Sequence, residues 1–179
     1  MSVIQETIEV DVPVRVAYNQ WTQFEDFPRF MDGVEQVRQI TDESLEWRAE
    51  IGGQTRTWAT RISEQIPDRK IAWVAVEGEK LDGTVEFETL GEARTRIALT
   101  MAFEPDDTLE KAADMLKVVE GRVKGDLERF KRFIESEGHE TGAWRGEIPA
   151  DSPDPNAEGG TSPEGETTTG AGDGTALSA

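Results

Sequence analysis

The chain contains no cysteine and only one histidine, His139, among its 179 residues. The absence of cysteine excludes disulfides, thiolate metal ligands and a cysteine nucleophile. A lone histidine cannot supply the clustered ligands of a zinc site. An all-oxygen site stays possible in principle, but no calcium-loop spacing is present, so we predict no metal. We also predict no cofactor. A Ser-His-Asp arrangement would need His139 inside a pocket. Because it directly follows the last helical segment, we expect it to face solvent instead.

Long apolar runs and a surplus of basic residues are also missing. No stretch approaches the roughly 18 apolar residues that cross a membrane, and the start MSVIQETIEV lacks the basic and apolar regions of a signal peptide. With 19 basic against 37 acidic residues, the net charge is −18. Such acidity disfavours nucleic acid and anionic membrane surfaces as partners. We therefore predict a cytoplasmic protein, monomeric or homodimeric, that binds no nucleic acid and does not insert into membranes.

The composition changes after residue 138. From residue 139 on, Gly, Ser, Thr, Pro and acidic residues dominate, and such a segment buries too little apolar surface to offset its ordering entropy. The sequence predicts a ligand-binding domain over residues 1–138 and a mostly disordered acidic tail over residues 139–179. Trp144 and Ile148 are exceptions within this tail. Their segment, TGAWRGEIP, either docks on the domain or is disordered with the rest.

Alternation of apolar and polar residues predicts strands along most of the domain. In LEWRAEI, for example, Leu45, Trp47, Ala49 and Ile51 share one face. The predicted strands are Ser2–Val12, Val34–Thr41, Ser44–Ile51, Gln54–Ser63, Lys70–Val76, Thr84–Leu90 and Arg94–Phe103. Short turns such as Gly52-Gly53 join the last six strands, which predicts an antiparallel meander.

Three helices are predicted from the remaining segments. Val14–Gln23 places apolar residues on one face, and a second short helix is expected around Pro28–Met31. The last helix begins with an N-cap pattern at Asp107 and Thr108 and ends at Gly138. Its apolar residues recur in steps of three and four along one face: Leu109, Ala112, Leu116, Val119, Val123, Leu127, Phe130 and Ile134. Two glycines in this helix, Gly121 and Gly125, fit either packing and bending or a hinge.

The element order predicts an α+β helix-grip fold. A curved antiparallel sheet of about seven strands would wrap around the long C-terminal helix, with two short helices after the first strand. A curved sheet and a single helix seldom fill the space between them. The hollow that remains is the natural place for a ligand.

This order, together with three segments, resembles the START-like, helix-grip proteins of the SRPBCC superfamily, in particular the polyketide cyclase/dehydrase-type branch. The segments are FEDFPRFMDGVEQV at residues 24–37, KIAWVAVEG at residues 70–78 and VKGDLERFKRFIE at residues 123–135. The resemblance covers about residues 2–138 and implies an internal cavity for a hydrophobic small molecule, closed by the C-terminal helix. It does not identify an activity, since the superfamily includes lipid carriers, hormone receptors, aromatic-ring cyclases and coenzyme Q-binding proteins.

Three tryptophans on consecutive strands, Trp47, Trp58 and Trp73, either line this cavity or fill the core. Among polar groups, Arg56 would be the best donor or enolate stabiliser in a cyclase, unless it lies near a strand end in solvent. The full set of cavity candidates is Tyr18, Trp47, Arg56, Trp58, Thr60, Trp73, Phe87, Leu99, Met101, Leu116, Val119 and Val123. No residue can be assigned a catalytic role.

Three functions are compatible with these observations. The leading hypothesis is binding of a hydrophobic small molecule, aromatic, polyketide-like or lipidic, between the sheet and the C-terminal helix. The second is a polyketide cyclase or dehydratase, in which Tyr18, Arg56 or carboxylates would assist enolisation. The third is a non-catalytic module that recruits another protein through the exposed sheet or the acidic tail. The sequence leaves open whether catalysis occurs.

Overall fold

The computed structural model describes residues 2–104 and 109–150, with side chains from residue 111 onward in the second range. A single seven-stranded sheet is followed by one long helix. The elements are β1 (Ser2–Val10), α1 (Val14–Trp21), a 3-10 helix (Phe24–Arg29), β2 (Val34–Gln39), β3 (Ser44–Ile51), β4 (Gln54–Ile66), β5 (Lys70–Gly78), β6 (Leu81–Gly91), β7 (Arg94–Phe103) and α2 (Leu109–Glu137). The predicted N-cap residues Asp107 and Thr108 lie outside the described residues.

The sheet is an antiparallel meander with the first strand added at its far edge. Its spatial order is β1-β7-β6-β5-β4-β3-β2, and it curls into a half-barrel around α2. Two register shifts interrupt the pairing of β4 with β5, one after Ala59 and one after Ile62. Such bulges bend a strand and increase its twist, which favours the curl. The predicted helix-grip architecture is confirmed.

The second short helix differs from its prediction. It is a 3-10 helix that begins at Phe24, with Pro28 in its last turn rather than at its start. Its tight turns are closed by hydrogen bonds such as Phe30 N to Phe27 O, 3.1 Å. Phe24 and Phe27 are both buried, so the burial of two phenyl rings, more than the preference of proline for a first turn, decides where this helix begins.

An aromatic cluster fills one end of the grip. Trp21 of α1 packs against Phe27 and Phe130, with ring centroids 5.4 and 5.5 Å apart, and Phe30 lies 5.2 Å from Phe130. We call α1, the 3-10 helix and residues 127–137 of α2 the closed end. These contacts join all three helices, and they leave the first half of α2 to cover the other end of the sheet.

Residues 140–148, which we call the strap, run back along α1. The backbone of Ile148 forms an antiparallel bridge with Gln65 of β4, with N–O distances of 2.8 and 2.9 Å. Trp144 N donates to Thr22 Oγ1 at 2.9 Å, and Thr141 N donates to Gln20 Oε1, also at 2.9 Å. The segment around Trp144, which the sequence left open, is therefore docked. The disorder predicted for residues 151–179 lies outside the described residues.

Candidate ligand cavity

A hollow of about 130 Å³ lies between the concave face of the sheet and α2. The sheet supplies aromatic and aliphatic side chains, among them Trp47, Trp58 and Leu99. The helix covers them with Val119 and Val123. Among the described residues the wall is therefore almost entirely apolar, and their polar side chains other than indoles line it where α2 meets the loop before β2 and the end of β3.

Three indoles define the sheet side of the cavity. Trp47 and Trp58 are directly paired across β3 and β4, and their rings stack with centroids 5.8 Å apart and planes 4° from parallel. Trp47 Nε1 donates to Thr60 Oγ1 at 2.8 Å. Trp73 lies opposite Gly83 of β6, where an added Cβ would come within 2.2 Å of the indole ring. A glycine at position 83 is therefore what makes room for Trp73.

The floor of the cavity belongs to the closed end. Trp21, Phe27 and Leu127 line it from below. Trp21 is almost fully buried, yet its indole Nε1 has no hydrogen-bond partner among the described residues. Helical spacing puts Trp21 on the same face of α1 as Tyr18. Its contact with the cavity depends on how α1 packs against α2, which periodicity does not show.

One rim of the cavity is polar and joins α2 to the loop before β2. Asp32 N donates to Asp126 Oδ1 at 2.9 Å, and the Arg122 guanidinium donates to the carbonyl of Asp32. Arg129 Nε donates to the carbonyl of Phe30 at 3.1 Å. Gly33, with φ of +87°, lies against Arg122: an added Cβ would fall 1.8 Å from its Nη1. Glycine thus permits both the turn and the close approach of the guanidinium.

Asp126 is the titratable group most affected by this environment. Burial raises the pKa of its carboxyl to about 6, although the hydrogen bond and charge of Arg129, the Asp32 N–H and the charge of Arg122 all act to lower it. A carboxyl with this pKa exchanges its proton close to neutral pH. It lies on α2 directly before Leu127, at the rim of the cavity.

Seven of the twelve predicted cavity residues line this hollow: Trp47, Trp58, Trp73, Leu99, Met101, Val119 and Val123. Their role in binding a ligand stays a prediction. Trp21, Arg122 and Asp126 also line the cavity but are not among the predicted residues. The two polar residues reach the cavity only because the loop before β2 packs on α2, and neither stands out in a helix rich in charges.

The other five predicted residues lie outside the cavity wall. Tyr18 packs edge-on against Phe87 at 5.4 Å in the closed end, and its hydroxyl accepts a hydrogen bond from Gln65 Nε2 at 3.1 Å. Arg56 forms an ion pair with Glu79 at 2.7 Å. Thr60 is occupied by Trp47, as described above. Leu116 is half-buried on the first half of α2.

His139 is exposed beyond the end of α2, with its Nδ1 2.7 Å from the carbonyl of Glu137. Within residues 2–104 and 109–150, no three His, Asp or Glu side chains are grouped so as to hold a metal ion. Neither α1 nor α2 of the described chain is both long and apolar enough to span a membrane.

A curved antiparallel sheet that grips one C-terminal helix around an apolar cavity defines a START-like helix-grip protein. A family model described as polyketide cyclase / dehydrase and lipid transport matches residues 10–132, and the chain belongs to this family. A relative in Streptomyces lincolnensis, an uncharacterized 17.2 kDa protein, is 50% identical over 149 residues, which are 83% of this chain and 99% of the relative.

Solved structures of low sequence identity share the fold. The Zhui aromatase/cyclase from Streptomyces sp. R1128 has a TM-score of 0.68 at 19% identity and covers 80% of this chain and 99% of its own. A START superfamily protein from Mycobacterium smegmatis has a TM-score of 0.64 at 14% identity, covering 74% and 98%. At such identities the likeness concerns the fold alone.

Proposed function

We propose that this protein binds a hydrophobic small molecule, aromatic, polyketide-like or lipidic, in the cavity between the sheet and α2. The observation that carries the proposal is the apolar hollow itself, whose wall includes Trp21, Trp47, Trp58 and Trp73. Its volume of about 130 Å³ is below the roughly 300–1,000 Å³ of pockets for drug-sized ligands. A compact ring system therefore suits it better than a long chain.

The family supports this proposal through its description, which names polyketide cyclases and lipid transport. The charge of −18 supports a protein that works away from nucleic acid and anionic lipid. We further propose that it acts in the cytoplasm, as a monomer or homodimer. The alternative of a protein-interaction module stays a prediction.

Neighbouring valines on α2 provide a matched test. Val119 lines the cavity, whereas the Val118 side chain is 37% exposed. We expect Val119→Phe to fill the hollow and abolish binding of the neutral fluorescent probe N-phenyl-1-naphthylamine, while Val118→Phe binds it as the wild type does. Equal binding by both variants would show that the probe binds elsewhere. Native mass spectrometry of protein purified from its host would then identify the natural ligand.

The second candidate is an enzyme of the cyclase or dehydratase type, and Asp126 is the observation that favours it. Its carboxyl, with a pKa of about 6, lies at the cavity rim beside Arg122. A group that titrates near neutral pH can act as both general base and general acid in enolisation. Tyr18 and Arg56, the candidates from the sequence, are both engaged elsewhere, so Asp126 is the residue to test.

The enzyme reading is tested with a short poly-β-ketone thioester as substrate. General acid–base catalysis contributes about 100-fold to 10,000-fold to a rate, so Asp126→Asn should lower turnover by at least that lower factor. Asp114→Asn, an exposed change on the same helix, is the control. Turnover that is equal in wild type and Asp126→Asn would exclude Asp126 as the acid–base group, and probe binding without any turnover would leave ligand binding alone.

A further inference from the structure

The inner face of β6 is interrupted by a glycine. Leu81, Val85 and Phe87 are buried on this face, and Gly83 lies between the first two at the same alternating spacing. Its φ is not in the left-handed region, so a side chain at position 83 would meet no backbone strain. What it would meet is the indole of Trp73. The glycine is therefore required by the space that this indole occupies and not by the conformation of the chain.

The indole lies across the row that the glycine leaves empty. Trp73 of β5 pairs with Gly83, and Gly83 pairs with Met101 of β7, so the three positions form one row across the sheet. A Cβ added at Gly83 would fall 2.2 Å from Trp73 Cζ2 and 2.9 Å from Met101 Sδ. The six-membered ring of the indole and the thioether thus both lie directly over the glycine. Trp73 fills the space that a β6 side chain would otherwise take.

This row belongs to the side of the cavity that faces away from the polar rim. The rim is formed where α2 meets the loop before β2 and the end of β3, near one edge of the sheet. The opposite wall is formed by Trp73 of β5 and by side chains of β6 and β7, among them Leu81 and Leu99. A ligand whose polar end stays at the rim would extend across the sheet past Trp47 and Trp58. It would meet Trp73 before it could reach the space over Gly83.

We propose that Trp73 limits the length of the ligand, and that the space over Gly83 is a continuation of the cavity that the indole keeps closed. The inference rests on the proposed function and specifies its ligand. That ligand is a compact apolar ring system with at most a short alkyl chain, and long acyl or alkyl chains are excluded because they would need the space that the indole fills.

The competing explanation is that Trp73 only fills the core. Its side chain is buried, and loss of a buried indole lowers stability whether or not a ligand can use the space that is left. Stability alone therefore does not separate the two explanations. The dependence of affinity on ligand length does, because only a true continuation of the cavity can accept additional methylenes when the indole is removed.

A series of phenyl n-alkyl ketones, from acetophenone to octanophenone, tests the length limit. Their dissociation constants are measured by displacement of N-phenyl-1-naphthylamine from the full chain. Each methylene that enters apolar space should raise the affinity about fourfold, until the chain reaches Trp73 and the affinity levels off. In Trp73→Ala the rise should continue beyond that chain length. The variant should bind octanophenone at least about tenfold more tightly than the wild type does, the equivalent of about two more buried methylenes.

Refilling the space provides a matched control. In the double variant Trp73→Ala with Gly83→Leu, a leucine side chain extends from β6 into the volume that the indole has left, and the wild-type length dependence should return. Trp144→Ala removes an indole from the strap, outside the cavity, and should also keep the wild-type dependence. A double variant that still gains affinity with long ketones would show that the added space lies elsewhere, and would overturn the inference.

An equal length dependence in the wild type and Trp73→Ala, with ketones bound by both, also overturns the inference and leaves the proposed function intact. Failure of the wild type to bind N-phenyl-1-naphthylamine and every ketone overturns the proposed function itself. If Trp73→Ala does not fold, Trp73→Leu vacates part of the space with a smaller loss of packing. Its affinity should level off at a longer chain than in the wild type, and an unchanged limit would contradict the proposal.

Discussion

The two halves of α2 use one apolar stripe for different purposes. In the closed end, Leu127, Phe130 and Ile134 are at most 2% exposed and pack into the aromatic cluster. In residues 111–123, which we call the open half, Leu116 is only half-buried, and Val119 and Val123 face the cavity. The same spacing in sequence thus gives a packed core at one end and the roof of a hollow at the other.

Polar contacts follow the same division. The closed end is tied down by the strap, whose Arg145 donates to Asn19 Oδ1 at 2.6 Å and to Asp68 Oδ2 at 2.8 Å. The open half lies near the β3–β4 turn, where an added Cβ on Gly52 would be 3.4 Å from the Met115 methyl. We therefore expect stability to depend on the closed end and ligand access to depend on the open half.

The largest effect should come from truncating the centre of the closed end. Phe130 is fully buried among aromatic rings, and Phe130→Ala should lower the free energy of unfolding by about 3–5 kcal/mol. Leu116→Ala, in the open half, should cost about 1 kcal/mol or less because its side chain already borders solvent. Urea denaturation measures the free energy of unfolding of both variants. Equal losses would contradict the expected difference between the closed end and the open half.

A smaller effect concerns pH at Asp126, where the two halves meet. Its pKa of about 6 lies above the value of about 3.9 in an unfolded chain, so the folded state binds the extra proton between these values. The contribution of Asp126 to the free energy of unfolding is therefore most favourable below pH 4 and falls as pH rises to 6. One pKa unit is worth about 1.4 kcal/mol. As pH rises from 4 to 7, the free energy of unfolding of Asp126→Asn should therefore increase relative to that of the wild type by on the order of 2–3 kcal/mol.

This pH dependence is read from unfolding free energies of both proteins at several pH values. Asp114→Asn, which changes an exposed carboxyl of the open half, should follow the wild type throughout. A stability difference between Asp126→Asn and wild type that stays constant from pH 4 to 7 would show that burial does not raise this pKa.

Removing the hydrogen bonds of Arg145 in the strap should have a smaller effect on the free energy of unfolding. Arg145→Ala leaves Asn19 and Asp68 without their shared donor, and we expect a loss of about 1–2 kcal/mol. Arg132→Ala removes an exposed arginine of α2 and should change stability by less than about 0.5 kcal/mol. Thermal denaturation compares the two, and a similar midpoint for both would mean that the strap adds little to the closed end.

The smallest predicted effect is a gain in the open half. Apart from its chain neighbours and the backbone of its own helix, no described residue comes within 4 Å of a Cβ added at Gly121, which argues against close packing as the reason for this glycine. Gly121→Ala should therefore stabilise the helix by about 0.5–1 kcal/mol. If the glycine serves as a hinge, the same variant should also lower the rate at which the probe enters the cavity, measured by stopped-flow fluorescence. A variant that is more stable but has an unchanged rate of probe entry would contradict the hinge hypothesis.

The sequence predicted the architecture well because alternation and the stripe of α2 are local patterns with a direct structural meaning. It grouped Trp47, Trp58 and Trp73 because they lie on three consecutive strands, and strand alternation places Trp47 and Trp58 on the apolar face. It could not find Asp126 or Arg122 as rim residues, because their position depends on Gly33 allowing the loop before β2 to touch α2. Docking of the segment around Trp144 stayed one of two alternatives, since the partners of Trp144 and Ile148, which are Thr22 and Gln65, are distant in sequence.

The arrangement of the tryptophans has a practical consequence. Four of the five indoles line the cavity, and the fifth, Trp144, lies in the strap. The near-ultraviolet fluorescence of this chain is therefore largely a signal from the cavity wall. With Trp144→Phe as the background, the purified protein becomes its own optical sensor, and occupancy can be followed without a dye, a label or knowledge of the ligand.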